Sequence, residues 1–296
     1  MKSILAATDF SIRSTKAVHR AALLARDAGA KLTLLHVVDE EAEDLLTAGH
    51  GASDKNLLAL ASQIETTYRI GSHTSIRIGA PHHAILTAAA QLNADIIVMG
   101  AHRKNLLKDV FVGTTIERVI RTGSWPVLMV NQEPTAAYGN ILFALDLSEA
   151  SAAAAKIAVT LGLLGNARLG LAHAFDPVAK SKMIIADVSQ EKIEDYVKEE
   201  QLKATSELLE FARGLPLDVG RCHVHVVEGD AAAVIANIVR SQQPDLVVAG
   251  THGRSGIGKF FLGSVAEQLL RSLDTDILAV PRKQPSPDEA PHQGVR

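Results

Sequence analysis

The stretch "PDLVVAGTHGRSGIGKFFLGS" (244–264) decides the fold, and it recurs in changed form as "ADIIVMGAHRKNLLKDVFVGT" (94–114). Each copy begins with a short apolar run typical of a buried strand and ends with a hydroxyl residue that precedes a helical pattern. The later copy has glycines in its interior, whereas the earlier copy is basic. A strand, a loop and a helix in this order predict a unit of parallel α/β structure.

The repeat extends beyond these two loops. "ILAATDFS" (4–11) matches "ILFALDLS" (141–148), and "LTLLHVVD" (32–39) matches "LGLAHAFD" (169–176). Each copy alternates continuous apolar runs with longer helical patterns in the order βαβαβαβαβ. Such runs are typical of strands that are covered on both faces, so each copy predicts a doubly wound, parallel, five-stranded sheet.

A short polar linker with Pro and Gly, residues 131–140, separates the copies. We therefore predict one domain at 1–134, a second at 138–283, and a disordered Pro-rich tail at 284–296. We expect the two copies to pack as a pseudo-dimer through their last strands, Val127–Val130 and Ile277–Val280. This arrangement leaves a homodimer of whole chains open.

Composition excludes several classes of protein. The chain has 296 residues, a net charge of −3 and one cysteine, Cys222. Without a strong positive field, we expect no binding to nucleic acid or to an anionic membrane. No apolar run reaches the roughly 18–20 residues that cross a bilayer. One cysteine allows no internal disulfide, which favours a cytoplasmic location.

Ligands of doubly wound sheets bind beyond the carboxyl ends of the strands, where the strand order reverses. The residues expected at those ends are Asp9 and Asp146, His36 and His173, and Gly100 and Gly250. The spacing of Ser264 to Glu267 predicts a capping box at the start of a helix, and Thr114 with Glu117 repeats it. A helix that begins after a Gly-rich loop offers free amides to an anion, so phosphate is the expected ligand. The alternative is that the glycines are simple connectors and that Ser264 only caps the helix.

The glycines of the second copy carry a resemblance. Gly250, Gly253, Gly263 and Ser264 fit the motif G-x2-G-x9-G-[ST]. With all the strands in order in both copies, the chain resembles the universal stress protein family, in its tandem form, from residue 1 to about 282. The resemblance implies a flavodoxin-like or adenine-nucleotide alpha-hydrolase-like fold with strand order 3-2-1-4-5 in each domain.

The family usually binds ATP, so the resemblance also implies a nucleotide site in the second domain. Its residues would be Ala144, Asp146, Ala174, Ala249, Gly250, Gly253, Gly263, Ser264 and Val265. Asp146 would face the ribose or a phosphate-bound Mg²⁺. A competing interpretation of Asp146 is that it caps a helix at 149–163.

The first copy departs from the motif, because Arg103 stands where the second copy has Gly253. We therefore predict weak ATP binding or none in the first domain. Arg103, Lys104 and Lys108 could hold a different anionic ligand, or they could form a solvated basic loop.

Three histidines are weak candidates for a zinc site: His173, His223 and His225. Their spacing matches no closed zinc motif, and hydrogen-bonded histidines are the simpler interpretation. In the second copy a long amphipathic helix is expected from about Asp187, either as a packing helix or as a lid over the site.

The function expected from these features is that of an ATP-binding regulator or sensor in the stress response. Two alternatives remain open. One is a slow ATPase or autophosphorylating enzyme, and the other is a scaffold whose first domain holds a different anion. No spacing of Ser, His and Asp indicates a hydrolytic triad.

Overall fold

The computed structural model describes residues 1–39, 49–101, 114–251 and 262–281 of the chain. The loop residues Arg103, Lys104, Lys108 and Gly253 and the tail at 284–296 lie outside the described residues. The predictions that concern them remain predictions.

Ten strands and nine helices alternate along the described chain. The strands are β1 Ser3–Thr8, β2 Lys31–Val38, β3 Ser72–Ile78, β4 Ile96–Gly100, β5 Val127–Val130, β6 Asn140–Ala144, β7 Arg168–Phe175, β8 Cys222–Glu228, β9 Leu246–Gly250 and β10 Asp276–Val280. The helices are α1 Ile12–Ala28, α2 Gly49–Tyr68, α3 Pro81–Gln91, α4 Thr115–Thr122, α5 Glu149–Thr160, α6 Lys180–Ile185, α7 Gln190–Arg213, α8 Ala231–Gln242 and α9 Ser264–Ser272. The α/β fold predicted from the sequence is confirmed.

The strands form one sheet in the order β3-β2-β1-β4-β5-β10-β9-β6-β7-β8. The order 3-2-1-4-5 predicted for each half is therefore correct, but the two five-stranded sheets are joined. β5 and β10 pair antiparallel, with Leu128 opposite Leu278, and make the sheet mixed. Both strands are fully buried, and all their residues except Asp276 are apolar, so pairing them removes an edge that would otherwise expose unpaired backbone groups.

Each half buries apolar side chains on both faces of the sheet. On one face α1, α2, α5 and α7 contribute to a core around Ile4, Phe143 and Leu208. On the other face α3, α4, α8 and α9 pack over Leu5, Val247 and Ile277. This layering leaves the carboxyl ends of the strands uncovered between the first turns of the helices.

The long helix expected from Asp187 begins three residues later, as α7, and a separate short helix, α6, precedes it. Ile193, Ala204 and Leu208 are buried on its inner face, as expected for a packing helix. The helix contacts β7 and β8.

A buried polar cluster fastens the junction between the halves. The fully buried carboxylate of Asp276 accepts hydrogen bonds from the amides of Asn131 (2.9 Å) and Gln132 (3.0 Å) and from the hydroxyl of Tyr138 (2.8 Å). These three donors belong to the segment that connects the halves. Because Asp276 opens the last strand, the connection is tied to the centre of the sheet.

Arg20 completes this cluster from the first half. Its Nε lies 3.4 Å from Oδ2 of Asp276, and its guanidinium lies 4.2 Å from the centre of the Tyr138 ring. Burial raises the pKa of Asp276, while the amides of Gln132 and Asn131 and the charge of Arg20 act in the opposite direction. Burial and the nearby carboxylate also raise the pKa of Tyr138 well above its usual value, so its hydroxyl stays protonated and donates.

Candidate functional site

A cavity of about 410 Å³ opens at the carboxyl ends of β6, β7 and β9. The strand order reverses at β6, since β7 follows it on one side and β9 lies on the other. This is the place where doubly wound sheets bind ligands. Its volume lies within the range of about 300–1,000 Å³ that small-molecule sites occupy.

The floor of this cavity is a row of alanines on neighbouring strands. Ala144 of β6 is paired in register with Ala172 of β7 and with Ala249 of β9. Ala174 follows on the same face of β7 and also lines the cavity. Since protein interiors are close-packed, a row of four small side chains at this position leaves space that the chain itself does not fill.

Asp146 lies at the mouth of the cavity, and a local turn orders its carboxylate. Oδ1 of Asp146 accepts from the amide of Ser148 at 3.0 Å and from its hydroxyl at 2.5 Å. Ser148, rather than Asp146, is the N-cap of α5, because its hydroxyl oxygen accepts from the amide of Ser151 at 3.2 Å. The capping interpretation of Asp146 is therefore wrong, and α5 ends at Thr160, three residues before the expected end.

The first turn of α9 forms another part of the mouth, and its cap differs from the prediction. The N-cap is Gly263, which has no side chain to donate or accept, and Ser264 is the first residue of the helix. The predicted capping box is therefore wrong for Ser264. Thr114 does cap α4, through a hydrogen bond of 3.2 Å from the amide of Glu117. Glu117 itself pairs with Arg121 at 2.6 Å.

Gly250 lies at the edge of the cavity, and the close approach of α5 explains why a glycine stands there. A Cβ atom at this position would lie 3.0 Å from the carbonyl carbon and oxygen of Ala150, in the first turn of α5. The matching Gly100 is closer still, with 2.6 Å to the same atoms of Arg13. At Gly263 the φ angle is −62°, which any residue adopts, so no unusual backbone geometry explains that glycine.

His173 and His36 occupy equivalent positions in the two halves, and each bonds to a backbone carbonyl at an equivalent position. Nδ1 of His173 donates to the carbonyl of Leu145 at 2.7 Å, and Nδ1 of His36 donates to the carbonyl of Thr8 at 2.9 Å. Each ring thus ties the end of a second strand to the end of the first strand of its half. His173 is buried and also lines the cavity, so it lies at the ligand edge of the sheet, where the sequence analysis expected it.

The three candidate zinc ligands do not converge. Strand register pairs Ala172 with His225 and His173 with Val226, so His173 faces the side of the sheet opposite to His225 and His223. Burial and the neighbouring His223 lower the pKa of His225. Among the described residues, no three His, Cys, Asp or Glu side chains form a group that could hold a metal ion.

The structure brings the described candidate residues together around one cavity. These are Ala144, Asp146, Ala174, Ala249, Gly250, Gly263, Ser264 and Val265. Sequence analysis missed Ala172, Ser151, Thr251 and Ile235, which also line it. Ala172 could have been found, because it lies two positions before Ala174 and a strand repeats every two residues.

The model of the universal stress protein family matches residues 1–131 and again residues 137–281. The chain belongs to this family. Its two matches follow one another along the chain, as the repeat in the sequence predicted.

Two curated members illustrate the range of relatives of this universal stress protein chain. Universal stress protein MJ0531 of Methanocaldococcus jannaschii is 29% identical over 149 residues, which cover 50% of the chain and 85% of that protein. Universal stress protein E of Escherichia coli K12 is 26% identical over 205 residues, which cover 68% of the chain and 65% of that protein.

A solved structure shares the fold along nearly the whole chain. A universal stress protein from Archaeoglobus fulgidus superimposes with a TM-score of 0.69 and 19% identity, covering 95% of this chain and 98% of that one. At this identity the likeness concerns the fold. Within the described residues, no helix combines the length and the apolar character that crossing a membrane requires.

Proposed function

We propose that this universal stress protein binds ATP in the cavity of its second half and acts in the stress response as a nucleotide-dependent sensor or regulator. The observation that carries the proposal is the row of alanines, Ala172, Ala144 and Ala249, beneath an open cavity at the strand switch point. Larger apolar side chains there would gain about 0.8 kcal/mol for each buried methylene. Alanines forgo this gain and leave room in which the flat adenine ring of a ligand can be buried instead.

The polar groups suit the remainder of the nucleotide. The adenine ring would lie against the alanines, and Asp146 at the mouth would accept from a ribose hydroxyl or bind a Mg²⁺ ion carried by the phosphates. Ser264 and the following residue Val265 are exposed in the first turn of α9, where backbone amides lack helical partners. Such amides bind phosphate together with the positive end of the helix dipole.

Equilibrium binding of ATP to a double variant, Ala174→Val with Ala249→Met, tests the proposal. The two substitutions introduce the residues of the first half, Val37 and Met99, and fill the floor without touching the phosphate end. We expect ATP to bind to the wild type with one site per chain and to the variant at least tenfold more weakly, a change of about 1.4 kcal/mol.

A control away from both cavities separates loss of the binding space from loss of folding. Val224→Ala changes a partly exposed side chain of β8 that lines neither cavity, so it should leave ATP affinity unchanged. The thermal midpoint of each variant is recorded beside its affinity. Gly253→Arg, which introduces the residue of the first loop, should also weaken binding. If the folded double variant bound ATP as tightly as the wild type, the alanine row would not be the adenine site.

We also propose a cytoplasmic location, on the basis of a single cysteine and a weak net charge. Burial and the charge of Asp218 raise the pKa of Cys222, so its thiol stays protonated. Thiolate, not thiol, is the nucleophile, so this cysteine is unsuited to covalent chemistry.

A further inference from the structure

The first half has its own cavity, at the carboxyl ends of β1, β2 and β4. Its volume is about 270 Å³, which lies below the range of about 300–1,000 Å³ for sites that take drug-sized ligands. It occupies the position equivalent to the second-half cavity, because the strand order of the two halves is the same. The side chains that line the two cavities differ in size.

The floor of the first cavity is built from larger residues. Leu35 of β2 is paired in register with Ala7 of β1, and Met99 follows on β4. Val37 lies on the same face, two residues after Leu35. These residues stand where the second half has alanines, so branched and long side chains fill the space proposed for an adenine ring. A ligand of this cavity has to be more compact than a nucleotide.

Arg13 adds a positive charge to the first cavity, whereas the described residues that line the second cavity include no Lys or Arg. It lines the first cavity, whereas its counterpart Ala150 is not among the residues that line the second. The difference between these positions is the long side chain, which we infer to be the part that reaches the cavity. Within the part of the chain that the structure describes, the side chain of Arg13 forms no hydrogen bond or ion pair.

The other polar groups of this cavity set further conditions on a ligand. Asp9 accepts from the amide of Ser11 at 3.0 Å, and burial would raise its pKa, but hydrogen bonds from Ser11 and Ser14 lower it below the usual value. The carboxylate is therefore ionised and repels a bare anion. Ser14 is already bonded to Thr8 at 3.1 Å. A suitable ligand carries an anionic group for Arg13 and a hydroxyl donor for Asp9.

We propose that the first cavity is a second ligand site, specific for a compact phosphate ester with a free hydroxyl group, anchored by Arg13. Leu35, Val37 and Met99 determine its specificity because they exclude a purine ring. Arg binds phosphate through paired N–H donors, which suits a terminal phosphate group better than a single point charge would. The proposal does not depend on ATP binding in the second half.

Isothermal titration of the full chain with glycerol 3-phosphate tests this proposal. We expect saturable binding of one equivalent per chain, with the same affinity in the presence of saturating ATP. Arg13→Ala introduces the second-half residue and should weaken binding at least tenfold. Arg26→Ala, which removes an exposed arginine at the other end of the same helix, should leave it unchanged.

Two further probes assign the parts of the ligand. Inorganic phosphate should bind more weakly than glycerol 3-phosphate, because it has no separate hydroxyl group that can donate to Asp9 while the phosphate binds Arg13. Glycerol alone should not bind. The proposal is overturned if glycerol 3-phosphate shows no saturable binding up to about 10 mM, a limit near 2.7 kcal/mol of affinity. Displacement by ATP, or an equal loss in both arginine variants, would overturn it as well.

Discussion

The two halves of the chain share a strand order but differ at the floor of their cavities. The first half has Leu35, Ala7 and Met99 in a row, and the second half has Ala172, Ala144 and Ala249. The sheet geometry is the same in both, so the fold accepts either set. A duplicated fold therefore constrains where a ligand binds, while a few side chains on the strands determine how large it is.

A second difference lies at the junction of the halves. Arg20, Tyr138 and Asp276 form the buried cluster, and the positions that match them in the other half hold Ile157, Met1 and Pro126, counted along the repeat. The cluster is therefore built once per chain and not once per half. The connecting segment, whose groups bond to Asp276, also occurs once in the chain.

The largest expected effect comes from breaking this cluster with Arg20→Met. The substitution leaves the buried carboxylate of Asp276 without its cation, which costs about 3–5 kcal/mol of the free energy of unfolding. Urea denaturation followed by circular dichroism measures the loss. Ile157→Met, at the matched position of the second half, exchanges one apolar side chain for another and should cost less than about 1.5 kcal/mol.

The loss of stability caused by Arg20→Met should depend on pH. Burial already raises the pKa of Asp276, and removing Arg20 takes away a charge that lowers it, so the pKa of the folded variant rises further. A group whose folded pKa is raised stabilises the fold when protonated, and this contribution is lost as the pH increases. The deficit should therefore be smaller at about pH 4 than at about pH 7.5, a range that spans ordinary Asp titration. A deficit independent of pH would mean that Arg20 acts through packing alone.

The next largest effect distinguishes the two strand-end glycines. Gly100→Ala forces a Cβ atom to 2.6 Å from the backbone of Arg13, whereas Gly250→Ala brings it to 3.0 Å from the backbone of Ala150. Overpacking of this kind costs about 1–3 kcal/mol, and the first substitution should lie at the upper end. Thermal unfolding measures both. Gly71→Ala has open space and should change stability little, and equal losses at Gly100 and Gly250 would contradict the difference in packing.

The sequence predicted the parts of this molecule that follow from pattern. Apolar runs and the repeat predicted the strands, the pairing of Val127–Val130 with Ile277–Val280, and the edge of the sheet where Asp146 and Ala249 lie. The family resemblance implied the strand order. The N-cap residues were harder to predict from the sequence, because Gly263 and Ser264 are adjacent and either residue suits the start of a helix. The cluster around Asp276 was not predicted, since its partners are separated by more than a hundred residues and have no common motif.

The smallest expected effects compare the two helix starts. Thr114→Ala removes a hydroxyl that accepts from the amide of Glu117, and should cost about 1 kcal/mol of stability without changing ATP affinity. Ser264→Ala alters an exposed side chain in the first turn of a helix capped by Gly263, so its cost in stability should be only a few tenths of a kcal/mol. Its ATP affinity should fall at least tenfold, because a hydrogen bond to a charged phosphate contributes about 1.5–3 kcal/mol.

Measured together, these two substitutions test whether the helix starts have separate roles. A cap stabilises the fold with or without nucleotide, whereas a phosphate contact acts only when nucleotide is bound. Thermal unfolding in the absence of ATP should therefore separate Thr114→Ala from the wild type, and ATP titration should separate Ser264→Ala. If Ser264→Ala instead lost stability without nucleotide and kept its ATP affinity, the hydroxyl of Ser264 would serve the helix, and the two halves would use their helix starts in the same way.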